Sequence, residues 1–159
     1  SEAIAACLYA LAESTVPSVS VVIGEGGSGG ALALGMTDRI LMLEHSIYSV
    51  AGPEAAAAIL FADATKAPEA AASLRLTSED LHRFGIADEV IAEPLGGAHR
   101  DREVTIDRVL TAVDRHLGEL GARSIGQLQE ERYGKYRRVG ALNTSKMAVV
   151  APKVEGQQR

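Results

Sequence analysis

The residues best placed to do chemistry lie together in Gly24-Glu25-Gly26-Gly27-Ser28-Gly29-Gly30, and their spacing fits three chemistries. Gly24-x-Gly26-x-x-Gly29 matches the dinucleotide fingerprint, with Glu44 closing the next apolar run where a ribose-binding acid would sit, at a somewhat short spacing. Gly26-x-Ser28-x-Gly30 has the form of a nucleophile elbow, and Asp63 or Asp88 followed by His99 gives the chain order of a serine hydrolase, which requires a buried His–acid pair. The third chemistry uses no side chain: the Gly29 and Gly30 amides form an oxyanion hole, and Ser28 is a small residue at a helix start. A purely structural glycine turn is a fourth reading, and the pattern alone leaves all four open.

Every one of these chemistries needs a strand before the glycines and a helix after them. Val19-Ser20-Val21-Val22-Ile23 is rich in β-branched residues and reads as a buried strand, while Ala31-Leu32-Ala33-Leu34 suits a helix. The glycines then sit at a helix N-terminus, whose first N–H groups have no intrahelical partner and carry the positive end of the helix dipole. Absent Cβ atoms let a ligand approach those groups closely.

Composition bounds the function classes. A chain of 159 residues is long enough for one domain with a core, and 47% hydrophobic with 23% charged residues is ordinary for a globular protein. A net charge of −5 argues against broad nucleic-acid or anionic-membrane binding, although Arg132, Lys135, Arg137 and Arg138 form a local basic run. One cysteine, Cys7, excludes an intrachain disulfide, fits a reducing compartment and reads as a small apolar helix residue. With no apolar run of bilayer length and no secretion leader at the start, a cytoplasmic location is expected, and without a Cys cluster no metal is expected in this chain.

The remaining pattern is read in order. A helix runs from a Ser1 cap to about Glu13, with Ile4, Leu8 and Leu11 on one face, and the glycine-led helix ends near Gly35 or Met36. Arg39–Leu43 and Ser46–Val50 are strands, and His45 between them is a turn residue with no acid placed by spacing. Gly52-Pro53-Glu54 starts an alanine-rich helix expected to pack on the sheet, and Lys66-Ala67-Pro68 divides it from a second that ends near Leu74. Thr77 to Asp80 resembles a capping box, Gly85 ends that helix, Val90-Ile91 is a strand and Leu95 to Arg100 a turn. Ile106, Val109, Leu110, Val113, Leu117 and Leu120 predict the packed face of a long helix. Ser124-x-x-Gln127 opens a last helix whose basic end is expected to be solvated.

Several of these segments together resemble a known family. Ile23-Gly-Glu-Gly-Gly-Ser-Gly-Gly-Ala-Leu-Ala33, Tyr48-Ser-Val with Pro53-Glu54, Lys66-Ala-Pro68 and Glu93-Pro-Leu-Gly-Gly-Ala-His-Arg100 occur in the order found in the carboxyltransferase α subunit of bacterial acetyl-CoA carboxylase. The resemblance runs from Ser1 to about Arg138. It implies an α/β fold, a crotonase-like spiral of ββα units with C-terminal helices, formed over 1–138 as the C-terminal part of a carboxyltransferase domain, and a flexible tail over 139–159. Gly52-Pro53-Glu54-Ala55 stands where relatives tend to have Ser-Pro-Glu-Gly.

The implied activity moves a carboxyl group from carboxybiotin, carried on a biotin carboxyl carrier protein, to acetyl-CoA, giving malonyl-CoA in the first committed step of fatty acid synthesis. Gly29 and Gly30 would supply backbone donors to the biotin ureido oxygen, with Gly26, Gly27 and Ser28 lining the substrate approach. Biotin would not be covalently bound to this chain. The implied partners are a carboxyltransferase β subunit or domain, an N-terminal half of the α subunit, the carrier protein and an acyl-CoA, with no nucleic acid and no membrane. Propionyl-CoA carboxylase, a serine hydrolase and a dinucleotide-binding protein are the alternatives.

Overall fold

The computed structural model describes residues 2–140, so the tail expected over 139–159 lies outside the described residues from 141 onward. A first helix, α1 (Glu2–Ala12), leads into strand β1 (Val19–Val22). The next three glycine-region residues do not turn at once into a helix: Glu25–Gly27 is itself a short strand, β2, followed by α2 (Ser28–Leu34). The pattern repeats with β3 (Arg39–Leu43), β4 (Ile47–Ser49) and α3 (Pro53–Phe61).

A short 3₁₀ turn leads to α4 (Ala67–Leu74), and α5 (Ser78–Arg83) precedes β5 (Glu89–Ile91). Two helices close the described chain, α6 (Arg102–Gly121) and α7 (Ile125–Arg138). Successive strands alternate between two parallel sheets, β1-β3-β5 and β2-β4. This alternation is the ββα spiral that the resemblance implies.

Strand β3 is the centre of the core because its alternating side chains are buried on both faces. Ile40 and Met42 meet Leu81 and Ala87 on one face, and Leu41 and Leu43 meet Ile91 and Ala112 on the other. Each fully buried aliphatic of this kind contributes about 1.5–3 kcal/mol. Among the described residues, no helix is long and apolar enough to cross a membrane.

Three sequence expectations change in the fold. The alanine-rich helix does not pack on a sheet; Ala56 and Ala57 of α3 close against Ala70 and Leu74 of α4, since small side chains let two helices approach each other. Helix α6 is rotated from its apolar periodicity: Thr105, Ala112, His116 and Leu120 are buried, whereas Ile106 and Leu110 are exposed. Two polar residues can occupy that face because each has a partner, Thr105 Oγ1 donating to the Asp101 carbonyl at 2.7 Å and His116 Nε2 lying 2.7 Å from Glu89 Oε2.

The basic end of α7 is the third change. Arg137 and Arg138 are exposed as expected, but Arg132 and Lys135 are buried rather than solvated. Arg132 forms a bidentate pair with Asp38, Nε to Oδ1 at 2.8 Å and Nη2 to Oδ2 at 3.0 Å, and its Nη1 donates to the carbonyls of Leu11, Ala12 and Ser14. Lys135 Nζ lies 2.5 Å from Asp88 Oδ2, and burial nevertheless pulls its pKa below the usual lysine value. The start of α7 is as the sequence indicates, a reciprocal capping box between Ser124 and Gln127.

Candidate functional site

The glycine stretch is not glycine-rich for the sake of unusual dihedrals. The only residue of the turn in the left-handed region is Ser28, at φ 62°, while Gly27 caps α2 from an extended conformation. The glycines instead provide space. A Cβ on Gly26 would stand 2.8 Å from Tyr48 Cδ2, and one on Gly29 would stand 3.3 Å from Ile4 Cδ1 of α1. A Cβ on Gly24, Gly27 or Gly30 would meet nothing within 4 Å. Gly26 and Gly29 therefore answer to packing inside the chain, whereas Gly27 and Gly30 leave room that nothing described in this chain fills.

The N–H groups of Gly29 and Gly30 lie in the first turn of α2, before any intrahelical acceptor, and Gly27 supplies no side-chain cap. Among the described residues no backbone or side-chain acceptor outside the helix takes them. Behind the turn is a cavity of about 280 Å³ walled by Ser20–Gly26, Ala31, Leu34, Gly35 and Tyr48. Gly29 and Gly30 are not among its walls, and Gly30 is exposed, so its face of the turn is open to the outside.

The side chains required by the hydrolase and dinucleotide readings are engaged elsewhere. Asp63 accepts from Thr65 N and Oγ1 as a cap, and Asp88 accepts from Ile40 N at 2.7 Å and pairs with Lys135. His99 is exposed, and neither aspartate has a histidine partner among the described ion pairs. Glu44 Oε2 accepts from Glu93 N at 2.9 Å, and Gly26 lies in a strand instead of a phosphate-binding turn.

The structure gives His45 the acidic partner that spacing does not show. Its Nδ1 lies 3.2 Å from Glu93 Oε2, its own N–H donates to Glu93 Oε1 at 2.9 Å, and Ala98 N donates to Glu93 Oε2 at 2.7 Å. With Glu44 holding Glu93 N in return, the loops after β3 and β5 are braced together. The pair is 48 residues apart, so no local pattern announces it; it follows from the β3–β5 register.

Burial pushes the Glu93 carboxyl up, but the His45 and Ala98 N–H groups and the His45 ring outweigh it and hold the group below its ordinary 4.5. A depressed carboxyl contributes stability that is fully present above its unfolded value and is lost as pH falls through the folded one. Glu93→Gln is therefore expected to cost about 1.5 kcal/mol at neutral pH and less at pH 3, below the unfolded value of the carboxyl. Urea unfolding at the two pH values checks this, and an equal loss at both would remove the carboxylate from the brace.

Helix α2 is also held from its far end. The Tyr136 hydroxyl accepts from Thr37 N at 3.0 Å and lies against the carbonyls of Gly35 and Thr37. Burial pushes the Tyr136 pKa up to about 12, so the group remains a hydroxyl over the whole neutral range.

Among the described residues the arrangement is thus a strand-to-helix junction with two free amides, open space on the Gly30 face and no titrating side chain bonded to Ser28. It can stabilise an oxygen that becomes anionic. Comparison with known proteins bears on which one. The family model described as acetyl co-enzyme A carboxylase carboxyltransferase-like matches residues 1–140. The acetyl-coenzyme A carboxylase carboxyl transferase subunit alpha of Staphylococcus saprophyticus is 52% identical over 141 residues, covering 89% of this chain and 45% of the relative.

The same subunit of Geobacter metallireducens is 53% identical over 138 residues, covering 87% and 43%. The chain thus spans under half the length of these relatives. A Pseudomonas malonate decarboxylase hetero-tetramer, solved in complex with coenzyme A, contains a chain that superposes with a TM-score of 0.65 at 20% identity, covering 88% of this chain and 55% of that one; it shares the fold. On the family match over 1–140 and identities above one half, the chain belongs to the acetyl-CoA carboxylase carboxyltransferase-like family.

Proposed function

We propose that this chain forms the biotin side of a cytoplasmic acetyl-CoA carboxylase carboxyltransferase, which moves a carboxyl group from carboxybiotin to acetyl-CoA. The observation that carries the reading is the pair of unengaged amides at Gly29 and Gly30 beside side-chain-free space at Gly27 and Gly30. Carboxybiotin, when bound, supplies the carboxyl group and a ureido oxygen on which negative charge grows as that group departs. Fixed N–H donors at a helix start suit such an oxygen: they are aligned before the reaction and gain most from the charge as it develops. No proton passes through the turn, in keeping with a Ser28 hydroxyl that has no base hydrogen-bonded to it among the described residues.

The acyl-CoA would meet the open side of the turn, with the rest of the pocket supplied by a β subunit or domain. Two features support further protein around this chain. Strands β1 and β2 each have a neighbour on one side only within the described sheets, and Ile59 and Leu60 of α3 are exposed, as are Ile106 and Leu110 of α6.

The test is decarboxylation of malonyl-CoA with free biotin by the assembled α and β components. Turnover that requires both components and biotin is expected; an assembled complex without turnover overturns the reading. Ser28→Ala is expected to keep at least about a third of the activity, because the donors belong to the backbone. A dead but assembled Ser28→Ala enzyme, together with fluorophosphonate labelling of Ser28 in the parent, would establish the nucleophile reading instead.

A further inference from the structure

We infer that Tyr48 is a positioning residue which fixes the angle between β2 and α2 and so aims the Gly29 and Gly30 amides; this rests on the function proposed above. Tyr48 touches both arms of the junction. It pairs in register with Gly26 of β2, and its ring occupies the volume a Cβ on Gly26 would need. At the other end its hydroxyl donates to the Ala31 carbonyl at 3.0 Å, in the first half of α2. A Cβ on Gly35, the residue that caps α2, would overlap that same hydroxyl. Two glycines thus flank one tyrosine, and neither could carry a side chain while the ring stays in place.

The other described supports of α2 come from outside the β2–β4 pair. Ile4 packs on Gly29 from α1, and Tyr136 holds the Gly35–Thr37 segment beyond the helix end. These contacts hold α2 from α1 and from α7, whereas among the described residues the hydrogen bond from Tyr48 is the one that ties it to the β2–β4 pair. The cavity walled by Ser20–Gly26, Ala31, Leu34, Gly35 and Tyr48 leaves room on the inner side of α2 for the helix to tilt once that tie is cut. Burial raises the Tyr48 pKa, so the hydroxyl keeps its proton and its donor role across neutral pH. Donor direction matters because transition-state stabilisation depends on where the oxyanion will be, and a misplacement of about 1 Å can cost on the order of a hundredfold.

The experiment compares Tyr48→Phe with Ser46→Ala in the assembled carboxyltransferase, by decarboxylation of malonyl-CoA in free biotin. Phenylalanine keeps the ring that fills the space beside Gly26 and loses only the tie to Ala31. Ser46 is buried, donates to the Leu43 carbonyl at 2.8 Å and has no described hydrogen bond to α2, so its alanine variant measures what lost stability alone does. For Tyr48→Phe, kcat per folded complex is expected to fall about tenfold with the KM values for biotin and malonyl-CoA within twofold. Ser46→Ala is expected to lower the melting temperature without changing kcat.

Unchanged kcat in Tyr48→Phe, or an equal fall in both variants, overturns the positioning role. Gly30→Val in the same assay separates the two ideas. If it is dead while Tyr48→Phe is fully active, the oxyanion hole stands and the positioning inference fails; if Gly30→Val is active, the proposed function fails.

Discussion

Gly30→Val is expected to lower carboxyl transfer by about 10²- to 10³-fold while the complex still assembles and melts cooperatively. The substitution is clean for a structural reason. A Cβ on Gly30 meets nothing within 4 Å of the described chain, and Gly30 is not among the positive-φ residues, so a side chain can start there with neither a Cβ clash nor backbone strain. Its cost to the fold is the helix-propensity term of a β-branched residue, well under about 1 kcal/mol and offset by the loss of glycine flexibility. The same branched side chain would fill the open face from which an oxygen must reach the amides.

Gly29→Val is a poorer test, because its Cβ would press on Ile4 and move α1 as well. The measurement is biotin-dependent decarboxylation of malonyl-CoA alongside a thermal melt. A Gly30→Val complex that retains more than a third of the activity would show that no ligand approaches this face.

Arg132→Ala is expected to destabilise the protein by about 3–5 kcal/mol. Arg132 and Asp38 are both almost completely removed from solvent, with side-chain exposures of 1% and 2%. Among the described bonds, removing the guanidinium leaves the Asp38 carboxylate with only the Ser18 N–H and hydroxyl, at 2.8 and 2.9 Å, and takes a donor from three carbonyls at the end of α1 and just beyond it. Since α1 supplies the Ile4 contact to Gly29, the damage extends toward the glycine turn.

Arg132→Lys should recover only part of the loss, because an ammonium is a point charge and cannot reproduce a planar fork that reaches a carboxylate and three carbonyls together. Urea unfolding of the complete subunit decides the matter. A loss below 1 kcal/mol for Arg132→Ala would mean that the pair is replaceable by water.

Features encoded over a few neighbouring residues were legible in the chain. Proline at the start of α3, the Thr77 cap of α5, the positive-φ Gly85, and the Ser124–Gln127 box all stand where their residue types put them. Strand β3 was evident because a run of large apolar residues can be satisfied only by burial on both faces. The several family segments in order were likewise a property of the sequence alone.

Whatever depends on residues far apart was decided by the tertiary structure. His45 acquires Glu93, and Arg132 acquires Asp38 from 94 residues away, because the chain path and not the spacing brings a charge beside its counter-charge. The turn of α6 toward Thr105 and His116 has the same cause: a polar side chain can be buried once a partner is waiting for it, and periodicity carries no record of the partner.

The glycine stretch divides along this line. Its sequence determined that a strand-to-helix junction with exposed amides would exist there, since a helix start always leaves its first N–H groups unpaired. Only the packed structure distinguished Gly26 and Gly29, which give up their side chains to Tyr48 and Ile4, from Gly27 and Gly30, whose empty space no described residue of this chain occupies.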